Sequence, residues 1–247
     1  MELNLDTVST PPRQAATVVL LRDPLDALHA GLGEPGISAA TAGALYVAAL
    51  REAFEESGVL FAQGSNTQPA PQAAALLREG VGFNAVLAHM GLRLQTQAIL
   101  PWSRWITPVR PSVMNKRFDT RFFVAAVPGG QIARHDDFET TESIWLSPRE
   151  ALLQYWAGQI ELAPPQIMSL AHLARHSAVA SVMDAARARR PPVIQPESFD
   201  DDSSGRVICY PGDERHSVRE VALPGPTRLF YRNKRFEPVS GFEGLFS

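Results

Sequence analysis

Three glutamates and one arginine within six residues are the strongest candidates for chemistry in this sequence. Arg51 is followed by Glu52, Glu55 and Glu56 in the segment REAFEESGV. On a helix, residues three and four positions apart share a face, so the carboxylates are expected to converge, with Arg51 one turn before Glu55. Like charges at this spacing oppose each other unless a cation lies between them. Magnesium, or the similar ion manganese, prefers such oxygen ligands, so the segment predicts a divalent metal site, with a solvated charged helix face as the alternative.

The element that must position these residues is a helix. Ser38 is a suitable N-cap, and the Ala-rich run over residues 39–57 has helix-forming composition. Gly58 follows directly and is a natural residue to end a helix, because glycine adopts the left-handed conformation without steric cost. A buried strand over residues 15–21 is predicted to precede this helix.

Helices and strands alternate through the rest of the chain. A polar loop and two short helical patterns form an inserted lobe over about residues 63–91, and strands are predicted between 92 and 127. The remaining predicted elements are a strand at SIWL, a helix from Pro148 to about Trp156, a helical pattern over residues 164–188, and a small β-ribbon formed by RVICY and PTRLFYR.

This order predicts an α/β or mixed α+β layered domain. We expect a domain over residues 1–188 that contains the helical insertion, followed by a C-terminal extension over residues 189–247, since Arg189, Arg190 and two prolines mark a break.

Composition narrows the class of partner. The 23 basic and 26 acidic residues leave a net charge of -3, which argues against a broad surface for nucleic acid or anionic membrane and favours a small-molecule substrate. A single cysteine, Cys209, excludes an intramolecular disulfide and fits a reducing cytoplasm. The first apolar run is too short for a membrane span and lacks the layout of a signal peptide. A homodimer is compatible with the sequence.

Residues 51–59 resemble the second half of the Nudix box, in which Arg, Glu, a small or apolar residue, any residue, two Glu, any residue, Gly and an apolar residue follow in order. Every fixed position of that half is present. The downstream segments PWSRWITPVRPSVMNKRFDTRFFVAAVP, ETTESIWLSPREAL and ELAPPQIMSLAHLA are similar to the Nudix branch of peroxisomal coenzyme A diphosphatases and their bacterial relatives.

The resemblance implies a Nudix-like α/β/α sandwich built on a mixed sheet. By this resemblance, Glu52, Glu55 and Glu56 would be ligands for magnesium or manganese, and Arg51 would hold their carboxylates in place. The implied reaction is hydrolysis of a nucleoside diphosphate linked to another group, such as coenzyme A or an acyl-CoA, by attack of a metal-activated water on the diphosphate.

The first half of the box is degenerate. Counting back from Arg51 places Gly43 where the family has a Glu and Ile37 where it has a Gly. The residues between Asp23 and Ile37 contain no Gly-Gly pair and no second apolar strand, which is simplest to explain by loss of a segment. A Gly-rich turn would let backbone groups approach a diphosphate closely. The alternative function is therefore a catalytically impaired Nudix-fold module that binds a nucleotide or a protein.

Other charged residues are candidates for supporting roles. Glu139 and Glu142 precede SIWL, where a Nudix enzyme can carry an accessory base or a further metal ligand, although a solvated loop is the simpler interpretation. Positive charge around a Pro-rich turn is a candidate phosphate-binding group, with outward-facing strand residues as the alternative; its members are Arg110, Lys116, Arg117 and Arg121. His172 and His176 have the spacing of paired zinc ligands but lack the HExxH glutamate, which favours ordinary helix histidines.

Overall fold

The structure is a computed structural model that describes residues 13–21, 32, 34, 37–64, 69–111, 116–133, 144–201 and 205–247. The helices are α1 (Ala39–Ser57), α2 (Ala70–Arg78), α3 (Phe83–His89), α4 (Pro148–Trp156), α5 (Pro164–Leu173) and α6 (Val179–Ala188), with 3-10 turns at Thr96–Ala98 and Phe242–Phe246. The strands are β1 (Arg13–Leu21), β2 (Ala62–Gln63), β3 (Arg93–Leu94), β4 (Ile99–Ile106), β5 (Phe118–Ala126), β6 (Val193–Ile194), β7 (Glu197–Asp201), β8 (Gly205–Cys209), β9 (Arg228–Arg232) and β10 (Arg235–Glu237).

A mixed four-stranded sheet lies at the centre, in the order β1-β5-β4-β6. Strand β5 runs parallel to β1 and antiparallel to β4, and β6 runs parallel to β4. Alternate residues of β5 serve opposite faces of the sheet, as the two-residue period of a strand requires. Phe123 and Ala125 belong to a core shared with α1, whereas Phe122 and Val124 belong to a core shared with α4, α5 and α6. The sheet is thus covered by helices on both faces.

The helical insertion has its own small core. Phe83 and Val86 of α3 and Ala73 of α2 are buried with Leu60 and with Phe54 of α1. The insertion is closed at its base by the short antiparallel pair β2 and β3. Because Phe54 directly precedes Glu55, the insertion packs against the acidic part of α1.

The C-terminal region is larger than the predicted ribbon. Strands β7 to β10 form a four-stranded antiparallel sheet in the order β10-β9-β8-β7. Leu229 and Phe236 of this sheet are buried in the same core as Leu152 of α4 and Ile167 of α5. One apolar cluster and the pairing of β6 with β4 join this region to the rest of the protein. The division into two domains at residue 188 stays a prediction.

One further sequence prediction is corrected. The predicted strand at SIWL is wrong: its described part, residues 144–146, has no strand structure. Ile144 and Trp145 are exposed there, and the chain continues into Ser147, the N-cap of α4. The helical pattern over residues 164–188 is confirmed and consists of two helices, α5 and α6, because a turn follows Leu173, where the amide of His176 donates to the Leu173 carbonyl.

Along the described ranges, no helix combines the length and apolar character needed to cross a membrane.

Candidate active site

The helix that carries the candidate site has well-defined ends. The Ser38 hydroxyl accepts a hydrogen bond from the Thr41 amide at 3.0 Å, which caps the start of α1. At the other end Gly58 adopts φ 68°, and its amide donates to the Phe54 carbonyl at 2.8 Å. This conformation favours glycine, so the box glycine ends the helix immediately after the acidic residues.

One face of α1 is buried and the opposite face carries the charges. Ala49 and Leu50 are buried against the sheet, Phe54 is buried against the insertion, and Ala53 is also buried. The charged residues Arg51, Glu52, Glu55 and Glu56 lie on the outward side, half-buried or exposed. The 3.6-residue helical period produces this separation, and it presents the predicted metal ligands to solvent.

Arg51 is the centre of the charge pattern on this face. Its guanidinium donates a short hydrogen bond to a Glu52 carboxylate oxygen. Its Nε lies 3.8 Å from Oε2 of Glu55. The side chains of all three residues are 40% to 45% exposed. Exposed ion pairs contribute little to stability, so the main consequence of these contacts is to orient the two carboxylates.

The donor chemistry of this face suits a hard cation. Carboxylate oxygens are the ligands that magnesium and manganese take in proteins. Within the described ranges, however, no group of three or more Asp, Glu, His or Cys side chains is gathered closely enough to hold a metal. Exposed side chains change rotamer on the picosecond to nanosecond timescale. A cation could therefore draw the carboxylates of Glu52, Glu55 and Glu56 together without movement of the helix.

An open cleft lies beside the charged face. It has a volume of about 690 Å³ and is bounded by Arg51 and Glu55 on α1 and by residues from the end of α2 to the start of α3. Ligand sites commonly have volumes of about 300 to 1,000 Å³. The cleft therefore has the size of a small-molecule site and shares two residues with the box.

A side chain from outside the helix fixes the segment that follows the box. The Gln131 amide group donates to the Leu60 carbonyl and accepts from the Leu60 amide, both at 2.8 Å. Gln131 belongs to the turn that follows β5, 71 residues further along the chain. This paired contact joins the end of the box segment to the central sheet.

A group of four charges, of which Asp119 and Arg121 are buried and Glu34 and Arg104 half-buried, lies on the α1 side of the sheet. Arg121 donates to both carboxylate oxygens of Glu34, at 3.1 and 2.7 Å, and Arg104 donates to both oxygens of Asp119, at 2.8 and 2.7 Å. Arg104 also reaches Glu34 at 3.0 Å. The hydrogen bond that Arg104 donates to Asp119 raises the pKa of Arg104 above its usual value, and burial opposes this shift without cancelling it. These pairs tie the chain just before α1 to β4 and β5.

The other predicted site residues do not line the cleft. Arg110 forms an ion pair with Asp200 of β7 at 2.9 Å. Arg117 donates to the Thr107 carbonyl at 3.0 Å, Lys116 is exposed, and Arg121 belongs to the group of four charges. A phosphate-binding role for Arg110, Lys116 and Arg117 stays a prediction, and Arg110 would have to exchange Asp200 for the phosphate.

Two sets of predicted residues cannot be placed in the site. Glu139 and Glu142 lie outside the described residues, and so do residues 22–31, which make up most of the stretch where the sequence suggests that a segment has been lost.

The two histidines that were predicted to share a helix do not: His172 lies in α5, and His176 lies in the connection between α5 and α6. The ring of His172 lies 4.5 Å from that of buried Trp102, and the Arg189 guanidinium lies 4.3 Å from the Trp102 ring. Burial, with a smaller contribution from Arg189, lowers the pKa of His172 to about 4. A neighbouring guanidinium opposes binding of a further cation, so this geometry agrees with ordinary packed histidines.

Sequence reasoning missed the group of four charges and the cleft. Asp119 and Arg121 are two residues apart on one strand, a spacing that places both on one face of the sheet. That spacing was the available signal for their proximity. Their partner Glu34 lies 87 residues from Arg121 in the sequence, so no local pattern connects them.

Comparison with known proteins identifies the family of this arrangement. Residues 9–173 match the family model described as the NUDT19 Nudix domain. The chain is 31% identical over 145 residues to the acyl-coenzyme A diphosphatase NUDT19 of Xenopus laevis, which covers 51% of this chain and 38% of that protein. It is 29% identical over 155 residues to the protein of the same name in Homo sapiens, covering 56% and 41%. The chain thus spans about two fifths of the length of these curated relatives.

A solved structure supports the fold. The crystal structure of a Nudix hydrolase from Alicyclobacillus acidocaldarius matches with a TM-score of 0.56 and 22% identity, covering 72% of this chain and 97% of that one. This similarity confirms the predicted mixed α/β Nudix-like fold.

Proposed function

Since the chain belongs to the NUDT19 Nudix domain family, we propose that it is a hydrolase that cleaves a diphosphate linkage between a nucleoside and another group. Coenzyme A or an acyl-CoA is the proposed substrate. The names of the curated relatives support this choice, because three of them are acyl-coenzyme A diphosphatases.

The observation that carries the proposal is the outward face of α1. Glu52, Glu55 and Glu56 are presented to solvent beside a cleft large enough for a ligand. A diphosphate carries negative charge, so it needs a cation to approach three carboxylates. Magnesium or manganese bound by these glutamates would supply that charge and would activate water for attack on phosphorus.

The protein residues have distinct roles in this scheme. Glu52, Glu55 and Glu56 provide the oxygen ligands. Arg51 binds Glu52 and Glu55 from the side of the cleft and keeps their carboxylates oriented. Gln131 and the group of charges around Glu34 hold the two ends of the helical segment against the sheet, which limits movement of the ligands. Misplacement of reacting groups by about 1 Å can cost on the order of a hundredfold in rate.

A turnover assay on a panel of diphosphates tests the proposal. Wild type should hydrolyse coenzyme A or an acyl-CoA only when magnesium or manganese is present. Glu52→Gln and Glu56→Gln should each lower kcat by about a hundredfold, equivalent to about 2.7 kcal/mol of transition-state stabilisation. Glu220→Gln changes an exposed glutamate of the C-terminal region and should retain wild-type activity. Activity of both box variants equal to that of wild type would contradict the assignment.

The alternative function is a non-catalytic module that binds a nucleotide or a protein. It is favoured by the degenerate first half of the box and by the separation of acidic side chains in the described part of the chain. Such a module would release no product from any diphosphate of the panel with either metal. The same assay therefore distinguishes the two functions.

The remaining proposals concern the class of substrate, the location of the protein, its assembly state and its domain division. The charge balance supports a small-molecule substrate rather than nucleic acid or a membrane surface, and the single cysteine fits a cytoplasmic location. A homodimer stays a proposal, as does the division of the chain at residue 188.

A further inference from the structure

The cleft beside the box has two unlike walls. The α1 wall carries the charged side chains of Arg51 and Glu55. The opposite wall comes from the insertion, where Leu77 and Val81 are half-buried apolar residues and Asn84 and Ala85 are exposed. A ligand that fits both walls is polar at one end and mainly apolar, with some hydrogen-bonding capacity, at the other.

The charges of the described lining residues do not favour the nucleotide end at this wall. Among the described residues that line the cleft, Arg51 is the single cation, and it is paired with Glu52 and Glu55. A phosphorylated ribose would be better held by unpaired arginine or lysine. The Phe83 ring is buried in the core of the insertion, so little of its face is available to stack on a base.

We infer that this cleft binds the acylated pantetheine arm of an acyl-CoA, an inference that rests on the proposed function. The arm contains amide groups, methyl groups and an apolar acyl chain, which match Asn84 and the apolar wall. Its attachment to the diphosphate lies next to Arg51 and Glu55, where the box begins. The helical insertion is therefore a specificity element that selects substrates by the group on the far side of the diphosphate.

The structure offers two places to block the cleft without disturbing the fold. Gly82 has φ -62° and ψ 146°, a conformation that any residue adopts, and a Cβ placed there meets no heavy atom within 4 Å. Gly82→Leu should therefore extend a side chain into open space. Ala85→Phe is a second blocking variant, because Ala85 is exposed and lines the cleft. The matched control is Gly129→Leu, at an exposed glycine that also has open space and does not line the cleft.

Binding of S-octanoyl-pantetheine, measured by calorimetry, tests the inference without catalysis, because this compound has no diphosphate. Wild type and Gly129→Leu should bind it with the same Kd. Gly82→Leu and Ala85→Phe should each bind it at least about tenfold more weakly, while their thermal unfolding shows that they remain folded. Absence of binding to wild type at millimolar concentration, or equal binding by all four proteins, would overturn the inference.

Hydrolysis of octanoyl-CoA by the same four proteins separates the two proposals. Intact hydrolysis by wild type together with equal fragment binding by all variants would refute the subsite and leave the diphosphatase function standing. Weakened fragment binding by the blocked variants, together with no hydrolysis by wild type, would support the subsite and refute the proposed reaction.

Discussion

Loss of the Glu34 charge should destabilise the protein much more than loss of an exposed acidic partner. The Glu34 carboxylate is 8% exposed, and its chief partner, the Arg121 side chain, is 2% exposed. Glu34→Gln keeps the size of the side chain but removes the negative charge that faces two arginines. The substitution leaves a buried positive charge with less compensation.

The expected loss can be estimated from the remaining contacts. Breaking a buried ion pair typically costs about 3 to 5 kcal/mol. Asp119 still lies 3.0 Å from Arg121 and 2.7 Å from Arg104 after the change, so we expect the lower end, about 3 kcal/mol. Asp184→Asn is the matched control, because Asp184 pairs with Arg187 at 2.8 Å but is 74% exposed. It should cost less than about 0.5 kcal/mol.

Urea unfolding measures both losses. Each variant should show the m-value of wild type, with a lower midpoint that gives the change in the free energy of unfolding. The reasoning is refuted if Glu34→Gln loses no more stability than Asp184→Asn. In that case the group around Glu34 does not hold the start of α1 against the sheet.

Two further predictions concern the packing of the C-terminal half. Burial, and to a smaller extent Arg189, lowers the pKa of His172 from 6.5 to about 4. Between pH 6.5 and pH 4 the unfolded chain therefore binds more protons than the folded protein, and the protein loses stability as the pH falls through this range. From pH 7 to pH 5 the free energy of unfolding should fall by about 2 kcal/mol more in wild type than in His172→Phe, as measured by urea unfolding. Equal losses in the two proteins would contradict the lowered pKa of His172. The buried Tyr155 hydroxyl donates to the Phe236 carbonyl at 3.0 Å and accepts from the Phe236 amide at 2.7 Å. Tyr155→Phe should therefore lower the free energy of unfolding by about 1 to 3 kcal/mol, and an unchanged thermal midpoint would show that these two hydrogen bonds contribute nothing.

Local signals predicted the helix that matters most. Ser38 and Gly58 act at the two ends of α1 as their residue types suggested, since capping depends on side-chain and backbone chemistry within a few residues. The β4 and β5 strands and the helical insertion were also predicted, because their residue patterns are local in the sequence. The SIWL strand prediction was wrong because an apolar run becomes a strand only when a neighbouring strand supplies hydrogen bonds, and the described residues 144–146 pair with no strand.

The surroundings of the site depended on contacts that no sequence pattern records. Gln131 reaches Leu60 across 71 residues and Arg121 reaches Glu34 across 87. The glutamates of the box could be identified from their spacing, but the cleft exists only because the insertion packs Phe83 against Phe54 at a ring separation of 6.2 Å. The sequence thus predicted the candidate metal ligands, and the structure was needed to find the open cleft next to them.

The most direct test of the proposed function is hydrolysis of octanoyl-CoA in ¹⁸O-labelled water, with products analysed by mass spectrometry. The account predicts two phosphate-bearing products, one of which carries a single labelled oxygen in its phosphate. Their formation should require magnesium or manganese and should fall about a hundredfold in Glu52→Gln with no change in Glu220→Gln. Recovery of unlabelled, uncleaved octanoyl-CoA with both metals, or release of inorganic phosphate as the main product, would contradict diphosphate hydrolysis by this protein.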